Sequence, residues 1–306
     1  MNYIDRVSIN GNTSDPIIGV SGDRYYEGVD LTVKFADEIA ASPYNGNPWA
    51  WIKARITAAN YKGLHVNDYI PWTATNGKKV KSCIAGFDTY RKFADTNIGH
   101  HIDFISRDLW HQLHVMNSVN FNNGITKTDG TAVEHPWLAS DLYHWLNALA
   151  GEVPGGTAVG GAPVAVDYTT TGVYAFLPDE LKAVIVPKRV YLPKRYSESG
   201  TLSSDNAGAW LDIGKLWVPA ELEVAGAVIW GDHKYGAMSF VQYPIFNCNA
   251  NRVKGLGDGG SRFYWWTLSA AAGSTTHFVF VYYAGYVSSY SASDARVGAP
   301  VCFRIA

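Results

Sequence analysis

Cysteine is scarce and scattered in this sequence. The 306 residues contain three, Cys83, Cys248 and Cys302. None forms a C-x-x-C pair, so neither a disulfide framework nor a thiolate zinc site is indicated. That usage fits synthesis in a reducing cytoplasm. Charge is also thin: Asp, Glu, Lys and Arg make up 17% of the chain, against roughly 25% in an average globular protein. The net charge is −2 with no long basic block, which excludes a nucleic-acid footprint. No apolar run approaches the roughly 20 residues of a spanning helix, so a soluble protein without membrane insertion is predicted. The N-terminal "MNYIDRVSINGNTSDP" lacks a basic stretch followed by an apolar one, and no signal peptide is expected. There is no heptad pattern and no internal repeat. The H-E-x-x-H, G-x-S-x-G, P-loop and G-x-G-x-x-G motifs are all missing. "GLGDGG" (255–260) precedes aromatic strand residues rather than a helix, so it reads as a surface loop and not a phosphate cradle.

Aromatic side chains are abundant, with 19 Tyr, 12 Phe and 11 Trp. They supply large contact area at low entropic cost and favour strands. The densest stretch is the C-terminal "SRFYWWTLSAAAGSTTHFVFVYYAGYVSSYSASDARVGAPVCFRIA", Ser261 to Ala306. It contains Phe263, Tyr264, Trp265 and Trp266 in a row, then a run of Tyr, Ser, Ala and Gly.

Local signals predict an α+β chain: two or three helices packed on antiparallel strands. Residues 1–40 read as an extended or β arm with turns at "NGN", "SGD" and "YEG". A helix follows with Asn47 as N-cap, Pro48 at N1, Gly63 beyond its end, and Trp49, Ile52 and Ile56 on one face. "VNDYIPWTATNGKKVKSCIAGFD" reads as a hairpin with Asn76-Gly77 as a type I′ turn, Pro71 marking an edge position. "SRDLWHQLHVMN" (106–117) reads as a helix capped by Ser106. Another helix is predicted from Pro136 to Ala150, with Trp137, Leu138, Leu142, Trp145, Leu146 and Leu149 as its apolar stripe. The Gly/Pro-rich stretch near 151–172 reads as a loop or flexible insertion, and "VPAELEV" (218–224) as a helical turn. Short strands alternate with turns from Phe240 onward.

Two groupings could carry chemistry. His111 and His114, three apart on the predicted helix, could share a metal with His100 or Asp103, though residues of surface or core explain them as well. Glu221 with Glu223, Asp179 with Glu180, and Asp205 are carboxylates of the kind a glycosidase pairs across a cleft. Glu221 and Asp179 are more simply first-turn residues matching a helix dipole. Nothing implies a cofactor, and no enzyme is expected.

Six segments recur in one order: "NPWAWIKARITAANYKGLHVNDYIPW", "GHHIDFISRDLW", "WLASDLYHWLN", "LWVPAELEV", "FYWWTLSA" and "RVGAPVCF". Over roughly residues 45–306 the chain resembles a family of uncharacterised bacterial and phage proteins, DUF6273. That family's signatures are a W-x-x-S-x-[IL]-R-x-W-L-N helix, a P-[SA]-x-x-E-[VI] segment, W-W-x-R-S and a closing G-V-R-P-A-[FL]. Trp137, Ser140, Leu142, Trp145, Leu146 and Asn147 match the first. Pro219, Glu221, Glu223 and Val224 approximate the second. Trp265, Trp266 and Ser269 match the third, and Arg296, Val297, Gly298, Pro300 and Phe303 permute the last. Tyr143 and Leu268 stand where the family has Arg.

The resemblance implies a C-type-lectin-like domain over 45–306, preceded by an assembly or anchoring arm at 1–44. Trp137, Trp145, Trp265, Trp266 and Phe303 are then expected in the core. The sugar-binding calcium tripeptides of C-type lectins are absent, so calcium-dependent sugar binding is not implied. The expected setting is a phage virion surface (tail fibre, baseplate or head decoration), the protein being made in the bacterial cytoplasm. Its expected partners are other virion proteins, further copies of itself, trimers included, and a host cell-surface glycan or protein. "VYYAGYVSSYSASDA" (281–295) has the makeup of a paratope. Tyr282, Tyr283, Tyr286, Ser289, Tyr290, Ser291 and Asp294 are its candidate ligand-binding residues. A purely architectural virion protein, and a metal- or sugar-active enzyme, stay open as alternatives.

Overall fold

A computed structural model describes residues 26–156, 162–196, 208–231 and 241–306, with the backbone of a two-residue ladder pairing 8–9 with 12–13. Seven short helices are seen among the described residues: α1 (Leu31–Lys34), α2 (Ala36–Ala40), α3 (Pro48–Thr57), α4 (Pro136–Ala139), α5 (Asp141–Asn147), α6 (Asp179–Lys182) and α7 (Glu221–Ala225). None is long and apolar enough to cross a membrane. The expected arm is therefore helical over 31–40; its first 25 residues, apart from that ladder, lie outside the described ones. Asp30 starts this stretch, its carboxylate accepting the Thr32 N–H at 2.8 Å.

The first of two main sheets is built from β1 (Tyr69–Thr73), β2 (Lys79–Phe87) and β3 (Ile102–Leu109), with β6 (Ile185–Val186) and β14 (Pro300–Ile305). Its order is β6-β14-β3-β2-β1, all antiparallel. Pro71 lies on the edge strand, as its missing N–H requires. The turn after β1 is not type I′. Gly77 alone has positive φ there, Gly77 N–H bonds Ala74 O, and Ala74 N–H bonds Lys78 O, a type I turn closed by a left-handed glycine.

The helix expected over 106–117 is instead β3 and a loop. Ser106 does not cap anything: its hydroxyl accepts the Val301 N–H at 2.9 Å from the neighbouring strand. The 136–150 helix is broken at Ser140, which sits in extended conformation (φ −70°, ψ 150°). Its hydroxyl bonds Trp137 O at 2.7 Å and caps α5 through Tyr143 N at 3.1 Å. Left-handed Ala148 ends α5. The chain then enters β4 (Ala150–Pro154), paired antiparallel with β5 (Pro163–Asp167). So residues 151–154 and 163–167 of the expected loop at 151–172 form a two-stranded ladder, while 157–161 lie outside the described residues. β7 (Arg189–Pro193) and β8 (Gly208–Asp212) form another.

The second main sheet has the order β9-β10-β11-β12, from Lys254–Gly255, Arg262–Ala270, His277–Val281 and Val287–Ser291. β13 (Val297–Gly298) pairs with β10 in parallel. Between 298 and 300 the chain changes sheets and finishes as β14. Both sheets share one apolar core running from Leu31 to Ile305. Trp137, Trp145, Trp265, Trp266 and Phe303 are all buried in it.

Four of the buried charged side chains form one network inside that core. Arg304 on β14 clamps Asp103 on β3 with two bonds, Nε to Oδ1 at 2.7 Å and Nη2 to Oδ2 at 2.8 Å. Thr89 and Tyr243 hydroxyls add bonds to Asp103 Oδ2 at 2.6 and 2.9 Å. Lys188 and the Tyr90 hydroxyl both bond Glu223 Oε1, and Oε2 accepts Ala220 N–H at 2.7 Å. Lys188 Nζ also sits 3.8 Å from the centre of a Trp217 ring. Burial alone would raise the Asp103 carboxyl, but the Arg304 guanidinium outweighs it and holds that group well below the usual carboxylate range.

Removing one member of such a pair leaves a buried charge uncompensated. Arg304→Met is expected to cost about 3–5 kcal/mol in denaturant-induced unfolding, and Asp103→Leu together with Arg304→Met to recover much of it. Because the folded-state pKa of Asp103 is depressed, its contribution is present above the unfolded value of about 4 and lost as pH falls below it. Wild-type stability should therefore fall in that window, and the double variant should show a shallower fall. Equal acid profiles would rule this out.

Candidate ligand-binding cleft

The five residues Tyr282–Tyr286 join β11 to β12. Tyr282 N–H bonds Tyr286 O and Gly285 N–H bonds Tyr282 O, both at 2.8 Å. Gly285 is required here. Its φ is +90°, and a Cβ on it would come within 2.5 Å of Asn249 Oδ1. This tight turn brings three tyrosines together. The Tyr282 ring lies 4.2 Å from Tyr283 and stacks on Tyr286 at 4.7 Å, centroid to centroid. Tyr264 of β10 meets Tyr282 at 4.9 Å and Tyr283 at 5.5 Å.

Register determines what shares that face. Phe280 pairs with Ser288 and Phe278 with Tyr290, and directly paired residues project to the same side of a sheet. Tyr290 thus meets Phe280 at 5.6 Å, and Phe280 meets Tyr264 at 5.7 Å. The result is an aromatic cleft of about 330 Å³ lined by Tyr264, Phe280, Tyr282, Tyr290, Val297, Asp294 and Arg296. Its wall is preformed, because ring packs on ring.

The polar end of the cleft is an ion pair. Arg296 Nε and Nη2 bond Asp294 Oδ1 and Oδ2 at 3.1 and 2.7 Å. Nη2 also donates to the Tyr290 hydroxyl at 2.6 Å. The Arg296 side chain is 68% exposed and that of Asp294 10%. The guanidinium hydrogen bond holds the Asp294 carboxyl below its ordinary value despite partial burial.

Of the seven residues expected to bind ligand, Tyr282, Tyr290 and Asp294 line the cleft, and Tyr283 and Tyr286 are exposed beside it. Ser289 and Ser291 do not join them. They pair with Val279 and His277 and so project to the opposite side, while Ser288 shares the side of Tyr290. Tyr264, Phe280 and Arg296 complete the cleft without having been singled out for it. Phe280 is legible from alternation two residues before Tyr282. Tyr264 is brought in only by long-range register.

The histidines are dispersed among different partners. His100 Nδ1 lies 2.7 Å from Asp88 Oδ2, His111 Nε2 lies 2.9 Å from Lys79 O, and His114 stacks on Trp145 at 4.4 Å. With 106–117 non-helical, the three-residue spacing no longer aligns two rings. Among the described residues, no three His, Cys, Asp or Glu side chains gather as a metal site.

A larger concavity, about 640 Å³, lies between His135–Trp137, Leu192–Arg195, Glu221–Leu222 and Leu268–Ala270. Its polar groups are committed to partners within the protein. Glu221 accepts the N–H groups of Ile229, Trp230 and Gly231 at 2.8–3.1 Å, and Arg195 donates to Ala271 O at 2.7 Å. The aromatic cleft, with its exposed rings and reachable ion pair, is the better recognition surface.

Arg296→Ala should return the Asp294 carboxyl upward toward its ordinary range, as read by carboxyl-carbon NMR titration. An unmoved Asp294 would mean that the ion pair does not form in solution.

The family model described as a domain of unknown function (DUF6273) matches residues 114–306. No curated protein and no solved structure matches the chain.

Proposed function

The chain belongs to the DUF6273 family, and from that premise we propose that it is a virion surface protein binding a host glycan in the Tyr264–Tyr282–Tyr290 cleft. The observation that carries this reading is the cleft itself: preformed aromatic faces ending in a mutually neutralised Asp294–Arg296 pair. Apolar sugar faces stack on tyrosine rings, and a carboxylate acceptor beside a guanidinium donor suits neighbouring hydroxyls. Because the two charges offset each other, the preferred ligand is a neutral sugar rather than an anionic one.

A C-type-lectin-like fold belongs to the same proposal. It is supported by the terminal strand β14 closing antiparallel on β3, with α4, α5 and the β9–β12 sheet lying between them in sequence. In that arrangement the cleft sits on the inserted sheet, away from the closure. The sequence lacks calcium-site tripeptides, so binding here is independent of calcium.

The test is binding of purified protein to immobilised polysaccharides from bacterial surfaces. Tyr286→Ala and Tyr290→Ala should each weaken it about tenfold, or ~1.4 kcal/mol, with unfolding midpoints near wild type because both rings are exposed. Chelation with EDTA should change nothing. Binding that survives both substitutions, or loss of folding in both, would overturn the assignment.

A further inference from the structure

Among the described residues, no strand pairs with the outer edge of the second sheet. Strand β12 pairs with β11 from His277↔Ser291 to Val281↔Val287. Bonds at both ends fix which pairs exchange hydrogen bonds: Tyr282 N–H to Tyr286 O at 2.8 Å, and Ala292 N–H to Thr276 O at 2.9 Å. By alternation, the backbone groups of Ser288 and Tyr290 face β11, and those of Val287, Ser289 and Ser291 face outward. Ser291 O accepts Asp294 N–H at 3.0 Å. The N–H groups of Val287, Ser289 and Ser291, and the carbonyls of Val287 and Ser289, have no hydrogen-bond partner among the described residues.

Sheet edges are ordinarily guarded by charges, proline, bulges or a covering segment. The edge of the first sheet has one: Tyr69 N–H bonds Val29 O at 2.9 Å and Asp30 bridges Tyr69. The V-S-S-Y-S of β12 has no charge and no proline, and its pairing with β11 is unbroken by any bulge.

We propose that β12 is a strand-addition site for a second copy of this chain, paired antiparallel about a two-fold axis through Ser289. Self-pairing fits the hydrogen-bond pattern. With Ser289 opposite Ser289, Val287 falls opposite Ser291, so every outward-facing residue meets another outward-facing residue. On the cleft side the same register sets Ser288 against Tyr290, small against large. No charged residue lies within the paired stretch, so no like charges meet. An isologous contact of this kind closes as a dimer. It joins the two β9–β12 sheets into one and sets the two Tyr290 residues diagonally across the seam, roughly 7–8 Å apart at the backbone. Two clefts then stand side by side, and a repeating ligand can engage both.

The experiment is sedimentation of the full chain over a wide concentration range, alongside two substitutions. Wild type should dimerise. Ser289→Pro should be monomeric with an unchanged unfolding midpoint, because that N–H makes no intrachain bond and proline is tolerated facing outward on an edge. In a Cys248→Ser background, chosen because Cys83 and Cys302 are buried, Ser289→Cys should oxidise to a covalent dimer. Facing Cα atoms about 5.5 Å apart lie within disulfide reach. Ser291→Cys, whose counterpart lies four residues out of register, should not. A monomer at every concentration overturns the proposal, as does a dimer that survives Ser289→Pro or cross-links equally at both serines. A monomeric chain that still binds polysaccharide would remove the dimer and leave the cleft standing.

Discussion

The fold depends on placing Arg304 opposite Asp103. These residues are register partners on β14 and β3, and both are buried. A slip of one residue would turn Arg304 to the other side of the sheet and strand both charges in the core. The second pair, Lys188 with Glu223, ties the β6–β7 connection and α7 into the same place. Tyr90 and Tyr243 supply hydroxyls to Glu223 and Asp103. Two acids and two bases leave no net charge. Hydrophobic residues of similar size could fill this volume, but they would not distinguish one register from the next. The ion network trades some stability for a single alignment of four separate segments.

The network also determines what counts as a folding unit. Residues 114–306 contain Arg304, Lys188, Glu223 and Tyr243, but Asp103, Thr89 and Tyr90 come from the chain before them. So do β1, β2 and β3, which form most of the sheet that β14 enters. In this protein the stretch matching the family model is completed by its preceding residues. Without them Arg304 would be a buried cation with its clamp removed, and the inner edge of β14 would be unpaired. The core, continuous from Leu31 to Ile305, says the same in apolar terms.

What could be read from sequence follows how local each determinant is. Helix α3 was legible because Asn47 and Pro48 start it and Trp49, Ile52 and Ile56 bury it. The edge position of β1 was legible from Pro71. The β3 region was misread because Ser106 resembles a cap and the histidines fall at helical spacing. What decides its state is the pairing of Ile102–Leu109 between β2 and β14, which lies nearly two hundred residues from its last partner. Asp103 was read only as a possible metal ligand for the same reason, since its partner Arg304 closes the chain. The cleft divides the same way. Its tyrosines were legible from composition, while the exclusion of Ser289 and Ser291 required the hairpin's register and Tyr264 required the pairing of β10 with β11.

The aromatic density of the C-terminal stretch therefore has two physical roles set by position in the sheet. Trp265 and Trp266 project to opposite faces of β10, and both are buried because the strand is covered on each side. Their indole N–H groups bond the carbonyls of Arg252 and His114 at 2.9 Å. Further out, at the β11–β12 hairpin, coverage ends, and the tyrosines pack on one another instead of under other elements. Rings at a margin of this kind stay ordered by mutual stacking and by the Gly285 turn, with the outer faces of Tyr283, Tyr286 and Tyr290 left to solvent. Substitutions there leave the buried ion network untouched, so the surface of the hairpin can change without altering the register that holds the two sheets together.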